Sequence, residues 1–372
     1  MRRAPKHVVR TQESVRRPRV DKPYRSRWPN PSTLAIGLHP LPWLPVSTNS
    51  SSPVPPGAGS VTTGLLAKIE ALATGGRSTN LKLLRGKSGM ALTHATSALA
   101  ARGQRHLFAH VEAFCLFVGH ARSGSTLVGS LLGAHPEVVI AHELDVLRFV
   151  QWHYGRDQIY SLILRRDAEF HSRGRRHGSN GYDYAVSDSW QGRFTQIRVL
   201  GDKKAGATTR KLAERPELLD RLRTKVGVPL RLIQITRNPF DNIASVSTHG
   251  KSLADAADRY FARCATLAKV AADAGSGEMV VVRHEDLVAD PGGALSRLWR
   301  FLGVTPEPAE VTRCAAVVNE TPNRRSTEAH WTPELISSIC DRMAYFDFLK
   351  GYGYDGPDFN FNAENRSTAG PL

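Results

Sequence analysis

Cysteine is scarce in this chain. Four residues in 372, Cys115, Cys264, Cys314 and Cys340, are widely spaced and form no C-x-x-C pair or Cys/His cluster, which excludes zinc-ligand spacing and leaves reduced, buried thiols as the expectation. Long apolar runs are missing too: no stretch approaches the ~20 residues that a membrane span needs, and the N-terminus lacks the apolar core of a secretory signal. A cytoplasmic protein without a transmembrane segment is the default expectation. Acidic residues are rare only at the start. Residues 1–112 carry 17 Lys and Arg against 4 Asp and Glu, whereas residues 113–372 carry 33 against 30. The net charge of +16 therefore belongs to an N-terminal arm, and the larger part of the chain is not a polyanion-binding surface. That arm also lacks interleaved aromatic residues, so no specific nucleic-acid partner is expected. Its Arg-rich start, from Arg2 to Arg19, shares composition with organellar transit peptides, which keeps an import signal open.

Residues 1–60 are rich in Arg, Pro, Ser and Gly, with six prolines and no charge between Pro40 and Pro56. Such a segment buries too little apolar surface to offset its ordering entropy, and a disordered arm is expected. Residues 61–112 read as a helical extension, with apolar helical spacing over 62–74 and an Ala-rich stretch over 90–101. From residue 114 short apolar runs alternate with longer helical stretches. This is the pattern of an α/β domain over 113–358: a three-layer, mostly parallel sheet with helices on both faces. The strand runs are 114–118, 138–141, 197–200, 230–235 and 279–282; the helices are 126–134, 144–152, 207–224, 252–274, 292–302 and 333–345. The polar segment 153–196 reads as an insertion whose loops would carry acceptor specificity. A flexible tail follows over 359–372.

The first strand runs directly into Gly119-His-Ala-Arg122-Ser123-Gly124-Ser125-Thr126 and then an apolar helix. The G-x-x-x-x-G spacing and closing hydroxyl are those of a P-loop, but Ser125 stands where a nucleotide hydrolase has lysine. Backbone N–H groups at a helix start cradle an anion without that lysine. What disappears is the cation that contacts β- and γ-phosphates, which weakens the case for NTP hydrolysis or kinase chemistry. The run LRLIQI leads into Thr236-Arg237-Asn-Pro239-Phe-Asp241, and Ser245 follows Arg237 by eight residues. An arginine fork at a strand exit, with a serine about two helical turns on, can share one additional phosphate without a metal bridge. No metal is expected.

Together these motifs resemble the sulfotransferase family that uses 3′-phosphoadenosine-5′-phosphosulfate (PAPS), whose signatures are a lysine-free 5′-phosphosulfate loop and R-x-P-x-D-x-x-x-S. The E-D-L of 285–287 and the F-L-G of 301–303 match its third feature. The resemblance spans about 240 residues and implies a P-loop NTPase-like fold. It implies that Arg122, Ser123, Gly124, Ser125 and Thr126 hold the 5′-phosphosulfate and that Arg237 and Ser245 hold the 3′-phosphate. PAPS would be the co-substrate, 3′,5′-adenosine bisphosphate the product, and a hydroxyl or amine the acceptor. The sequence departs from the family at His284, where a tyrosine bordering the nucleotide is common.

Sulfuryl transfer needs a base for the acceptor proton and positive charge near the departing oxygen. Glu143, just beyond the second strand, is the candidate base, and its position resembles the base of the tyrosylprotein branch; His142 is the rival that the resemblance to cytosolic members implies, and strand alternation lets only one of the two face the site. Lys203, in Gly201-Asp202-Lys203-Lys204, is the implied leaving-group stabiliser. The stretch 319–327 resembles a late nucleotide loop and would bring Arg325 over the 3′-phosphate and Thr321 near the sulfate. Two competing readings remain: a P-loop nucleotide-dependent kinase or hydrolase, and a nonenzymatic basic binding protein that works through its arm. The residues do not identify the acceptor.

Overall fold

The computed structural model describes residues 87–172, 183–248, 250–319 and 324–354. All five apolar runs form strands: β1 (Ala113–Gly119), β2 (Val138–His142), β3 (Val199–Lys203), β4 (Leu230–Thr236) and β5 (Met279–Arg283). Every neighbouring pair is parallel, in the order β2-β3-β1-β4-β5. Parallel strands need crossovers, and helices supply them. The helices are α1 (Lys87–Gln104), α2 (Ser125–Leu132), α3 (Val146–Gln151), α4 (Arg156–Ser172), α5 (Ala205–Glu214), α6 (Leu218–Val226), α7 (Pro239–Ser247), α8 (Leu253–Ala272), α9 (His284–Ala289), α10 (Pro291–Leu302), α11 (Pro308–Ala315) and α12 (Pro333–Met343).

The layering follows from β1. Its side chains alternate between faces: Phe114, Leu116 and Val118 join one apolar core with α3, α4 and α6, whereas Cys115 and Phe117 join another with α2 and α10. A strand buried on both faces must be continuously apolar, which is why FCLFV shows no alternation in the sequence. A third core, around Phe240, Tyr260, Phe261 and Ile339, packs α7, α8 and α12 together. The α/β architecture with helices on both faces is thus the one expected.

Three local expectations differ from the structure. The helix expected over 207–224 is two helices, because Pro216 follows the end of α5 and has no backbone N–H to continue its ladder. The third strand runs on to Lys203 rather than stopping at Leu200. Gly201, Asp202 and Lys203 look like a loop because they are small or charged, yet all three are buried in the sheet. A Cβ on Gly201 would lie 2.7 Å from the Cys115 carbonyl oxygen, so the glycine is what lets β3 lie against β1. The segment 153–196 is not all loop, since α4 buries Ile159, Tyr160 and Ile163 in the sheet face; its polar C-terminal half disguises the helix. The helical stretch over 90–101 lies within α1, whose Met90 carbonyl accepts from the Tyr154 hydroxyl at 2.7 Å. The arm over 1–60, the helix over 62–74, Thr321 and the tail over 359–372 lie outside the described residues.

Candidate active site

In an open parallel sheet, functional groups collect at the carboxyl ends of the strands. Here those ends carry, in spatial order, Glu143 after β2, Lys203 at the end of β3, the glycine loop after β1, Arg237 after β4 and His284 after β5. A cavity of ≈ 640 Å³ opens over them, within the range of small-molecule sites. Arg122, Gly124, Ser125 and Thr126 line it, and Glu143, Arg237 and His284 join them.

The loop is held from behind by side chains that the sequence reading did not single out. The Thr209 hydroxyl of α5 accepts from Gly119 N at 2.8 Å and donates to Gly119 O at 2.9 Å. Asn242 of α7 donates to Ala121 O at 3.0 Å. Ser123, expected on the ligand, is buried and donates to His120 O at 2.9 Å; it shapes the turn. Gly124 caps α2 at φ 92°, a conformation that L side chains avoid. The first turn of α2 then aims N–H groups without intrahelical partners at the cavity.

Arg122 Nε donates to Ser245 Oγ at 3.1 Å, so the guanidinium of the loop and the serine of α7 meet. Arg237 reaches toward Arg122 O at 3.5 Å. The three residues form one cationic corner. Asp241, the acid of the R-x-P-x-D stretch, accepts from Ser326 N at 2.8 Å and so ties down the turn at Arg325–Glu328. Arg325, expected over the 3′-phosphate, sits on that turn and pairs with Glu328 at 2.6 Å. Glu285 of the E-D-L stretch accepts from Asn238 N at 2.8 Å and from the Tyr352 hydroxyl at 2.7 Å, which fixes the ends of β4 and β5 together.

At the other end, Glu143 and His142 part company. His142 is 1% exposed and stacks on Phe170 with ring centroids 3.8 Å apart, whereas the Glu143 side chain is half-exposed in the cavity. Glu143 sits at φ 63° and Asp145 at φ 69°. The buried Lys203 ammonium lies 2.5 Å from Glu143 Oε1 and donates to Thr126 Oγ1 at 3.0 Å. Asp202 is wholly buried, and its carboxylate accepts from Leu144 N at 3.1 Å and Val146 N at 2.8 Å. Burial pushes Asp202 up to about 6, against the opposing pull of those two N–H groups. His284, half-buried over Gly124, is pushed down to about 4 by desolvation and by Arg237, so it is neutral at physiological pH.

A lysine-free loop at a helix start, with an arginine–serine corner beside it and a Lys–Glu pair across from it, is an arrangement suited to a phosphoryl or sulfuryl group on an α/β fold. Among the described residues no group of three or more His, Cys, Asp or Glu could hold a metal ion, and no helix is long and apolar enough to cross a membrane. The sulfotransferase family matches residues 116–308, and the chain belongs to it. No curated protein matches. Among solved structures, the sulfotransferase domain of the Synechococcus PCC 7002 olefin synthase is 17% identical, with 62% of this chain and 87% of that one covered at a TM-score of 0.37. A Mycobacterium tuberculosis H37Rv sulfotransferase is 15% identical (76% and 92% covered, TM-score 0.38). A mouse sulfotransferase solved with PAP is 12% identical (67% and 89% covered, TM-score 0.37).

Proposed function

We propose that this protein transfers a sulfuryl group from PAPS to a hydroxyl or amine acceptor. The observation that carries this reading is the Arg122–Ser245 hydrogen bond with Arg237 beside it, at the mouth of a loop that lacks the lysine of a nucleotide hydrolase. That corner suits a phosphate outside the main cradle, as on a 3′-phosphorylated ribose. The start of α2, with Gly124, Ser125 and Thr126, receives the 5′-phosphosulfate. Glu143 takes the acceptor proton as the new bond to sulfur forms and the bond from sulfur to the bridging oxygen breaks. Lys203, between Glu143 and Thr126, offsets the charge left on that phosphate oxygen. Preorganised donors and in-line positioning supply the rest of the rate. The kinase alternative lacks a carboxylate at the end of β4, where Arg237 follows instead.

Calorimetry of 3′,5′-adenosine bisphosphate against ADP, without magnesium, tests this. A charge-assisted contact is worth ~1.5 to 3 kcal/mol, so the bisphosphate should bind roughly 10- to 100-fold more tightly, and Arg237→Ala should remove most of that preference. Equal binding, or a requirement for magnesium and a γ-phosphate, would sink the proposal.

A further inference from the structure

The backbone that carries Glu143 is strained. Two non-glycine residues within three positions, Glu143 and Asp145, have φ values of 63° and 69°, where an L side chain crowds its own carbonyl at a cost of roughly 1–2 kcal/mol each. Left-handed residues persist only where the surroundings over-determine them. The surroundings here are few and specific. Glu143 N donates to Lys203 O at 2.9 Å, and the amides on either side of Asp145, those of Leu144 and Val146, donate to separate oxygens of the Asp202 carboxylate. Lys211 of α5 holds the Asp145 side chain at 3.0 Å. Asp202 is the only one of these partners that grips two amides, and it does so from the rigid third strand.

We infer that Asp202 is the positioning residue of the candidate base: its two-pronged grip holds the 143–145 backbone in the left-handed form that turns the Glu143 carboxylate into the cavity. The inference rests on Glu143 being the base. Asp202 touches no substrate; it acts through the loop. The grip needs two acceptor oxygens, hence the ionised carboxylate. Protonation turns one oxygen into a donor that faces an N–H, and one prong opens. The charged and titratable groups around Asp202 are Glu143 and Asp145 on the loop, Lys203 next on its own strand, His142 at the end of β2, the Cys115 thiol on β1, and Lys211 on α5, which engages Asp145. Burial leads in raising the Asp202 carboxyl to about 6, and the Glu143 and Asp145 carboxylates add to it.

Three measurements on the full chain test this. First, the amide resonances of Leu144 and Val146 should titrate together near pH 6 in the wild type and not in Asp202→Asn. Second, PAPS turnover with water as acceptor should show an acid limb near that pH, lost in Asp202→Asn. A displacement of about 1 Å at a reacting group lowers a rate on the order of 100-fold, so the variant should lose about that much turnover while 3′,5′-adenosine bisphosphate binds within about twofold. Third, adding Asp202→Asn to Glu143→Gln should lower turnover no further. Independent, multiplying losses in the double variant would overturn the inference, as would an unchanged acid limb or wild-type amides that do not titrate. Wild-type titration remains informative if the variant fails to fold. Absence of bisphosphate binding in the wild type would instead refute the parent reading, and a Glu143→Gln variant with full PAPS turnover would refute Glu143 as the base and this inference with it.

Discussion

Gly124 carries two separate demands, and Gly124→Ala separates them. Its φ of 92° lies beyond the left-handed helical well, and an L residue held there costs of order 1–3 kcal/mol. An added Cβ would also stand 2.6 Å from His284 Nδ1 and 3.0 Å from Cε1. The ring is half-buried on the cavity wall and must retreat by most of an ångström, and overpacking of this kind costs typically ~1–3 kcal/mol. Gly124→Ala should therefore lower stability by roughly 2–6 kcal/mol, read as a fall in the urea midpoint at unchanged slope. The double variant with His284→Ala removes the ring and should recover the steric part, which leaves only the backbone term. A coupling energy of ~1–3 kcal/mol follows for the pair. If the two single effects add within about 0.5 kcal/mol, His284 does not sit over the loop and its assignment to the cavity fails.

Asp241→Ala leaves the Ser326 amide without its acceptor; a loss of ~1–2 kcal/mol and weaker 3′,5′-adenosine bisphosphate binding are expected, and unchanged affinity by calorimetry would remove the Arg325 turn from the site. Lys203→Met should cut PAPS turnover by roughly 100-fold or more with a much smaller change in bisphosphate affinity, since Arg122, Arg237 and Ser245 remain; equal losses in both would make Lys203 a ground-state ligand. Acid should unfold the protein early. Burial lowers His120 to about 3 and His284 to about 4, from 6.5, so the unfolded chain binds these protons more tightly. Stability from each is complete above about pH 6.5 and is lost as pH falls toward the folded value, by ~2 kcal/mol apiece at pH 5. Asp202 acts in the opposite sense, since a raised folded value favours the native state as pH falls through about 6. His284→Gln should flatten the acid side of a plot of urea midpoint against pH, and an unaltered slope would refute a buried neutral imidazole.

The parts of the fold legible in the sequence are those in which burial alone writes the pattern. Strands β1 and β4 are apolar on both faces, and the glycine loop follows β1 at once, so strand, turn and helix start announce one another. The parts that stay hidden are polar groups buried for a specific partner. Lys203 is picked out in the sequence only by the family resemblance, with no sign of Glu143 and Thr126 beside it, and Asp202 reads as a loop residue until the amides of Leu144 and Val146 are seen to satisfy it. Those partners lie 56 to 77 positions away in sequence, and no local spacing encodes them. Asn242 and Thr209 are hidden for the same reason, since each is an ordinary helix residue that happens to face the loop.

The missing loop lysine and the buried Lys203 are two sides of one arrangement. In a nucleotide hydrolase the cation stands on the loop itself and points along the phosphate chain. Here Ser125 occupies that position, and the neighbouring strand delivers an ammonium to the hydroxyl of Thr126, at 3.0 Å. A cation 2% exposed is tolerated only when paired and hydrogen-bonded, and the partner that meets this need is Glu143. The carboxylate that neutralises Lys203 is thus the half-exposed one after β2, while the ammonium also reaches the first turn of α2. One buried ammonium therefore touches both the glycine-loop helix, through Thr126, and the loop after β2, through Glu143. A lysine placed on the loop itself could not make both contacts, because Glu143 follows a strand that β3 separates from β1.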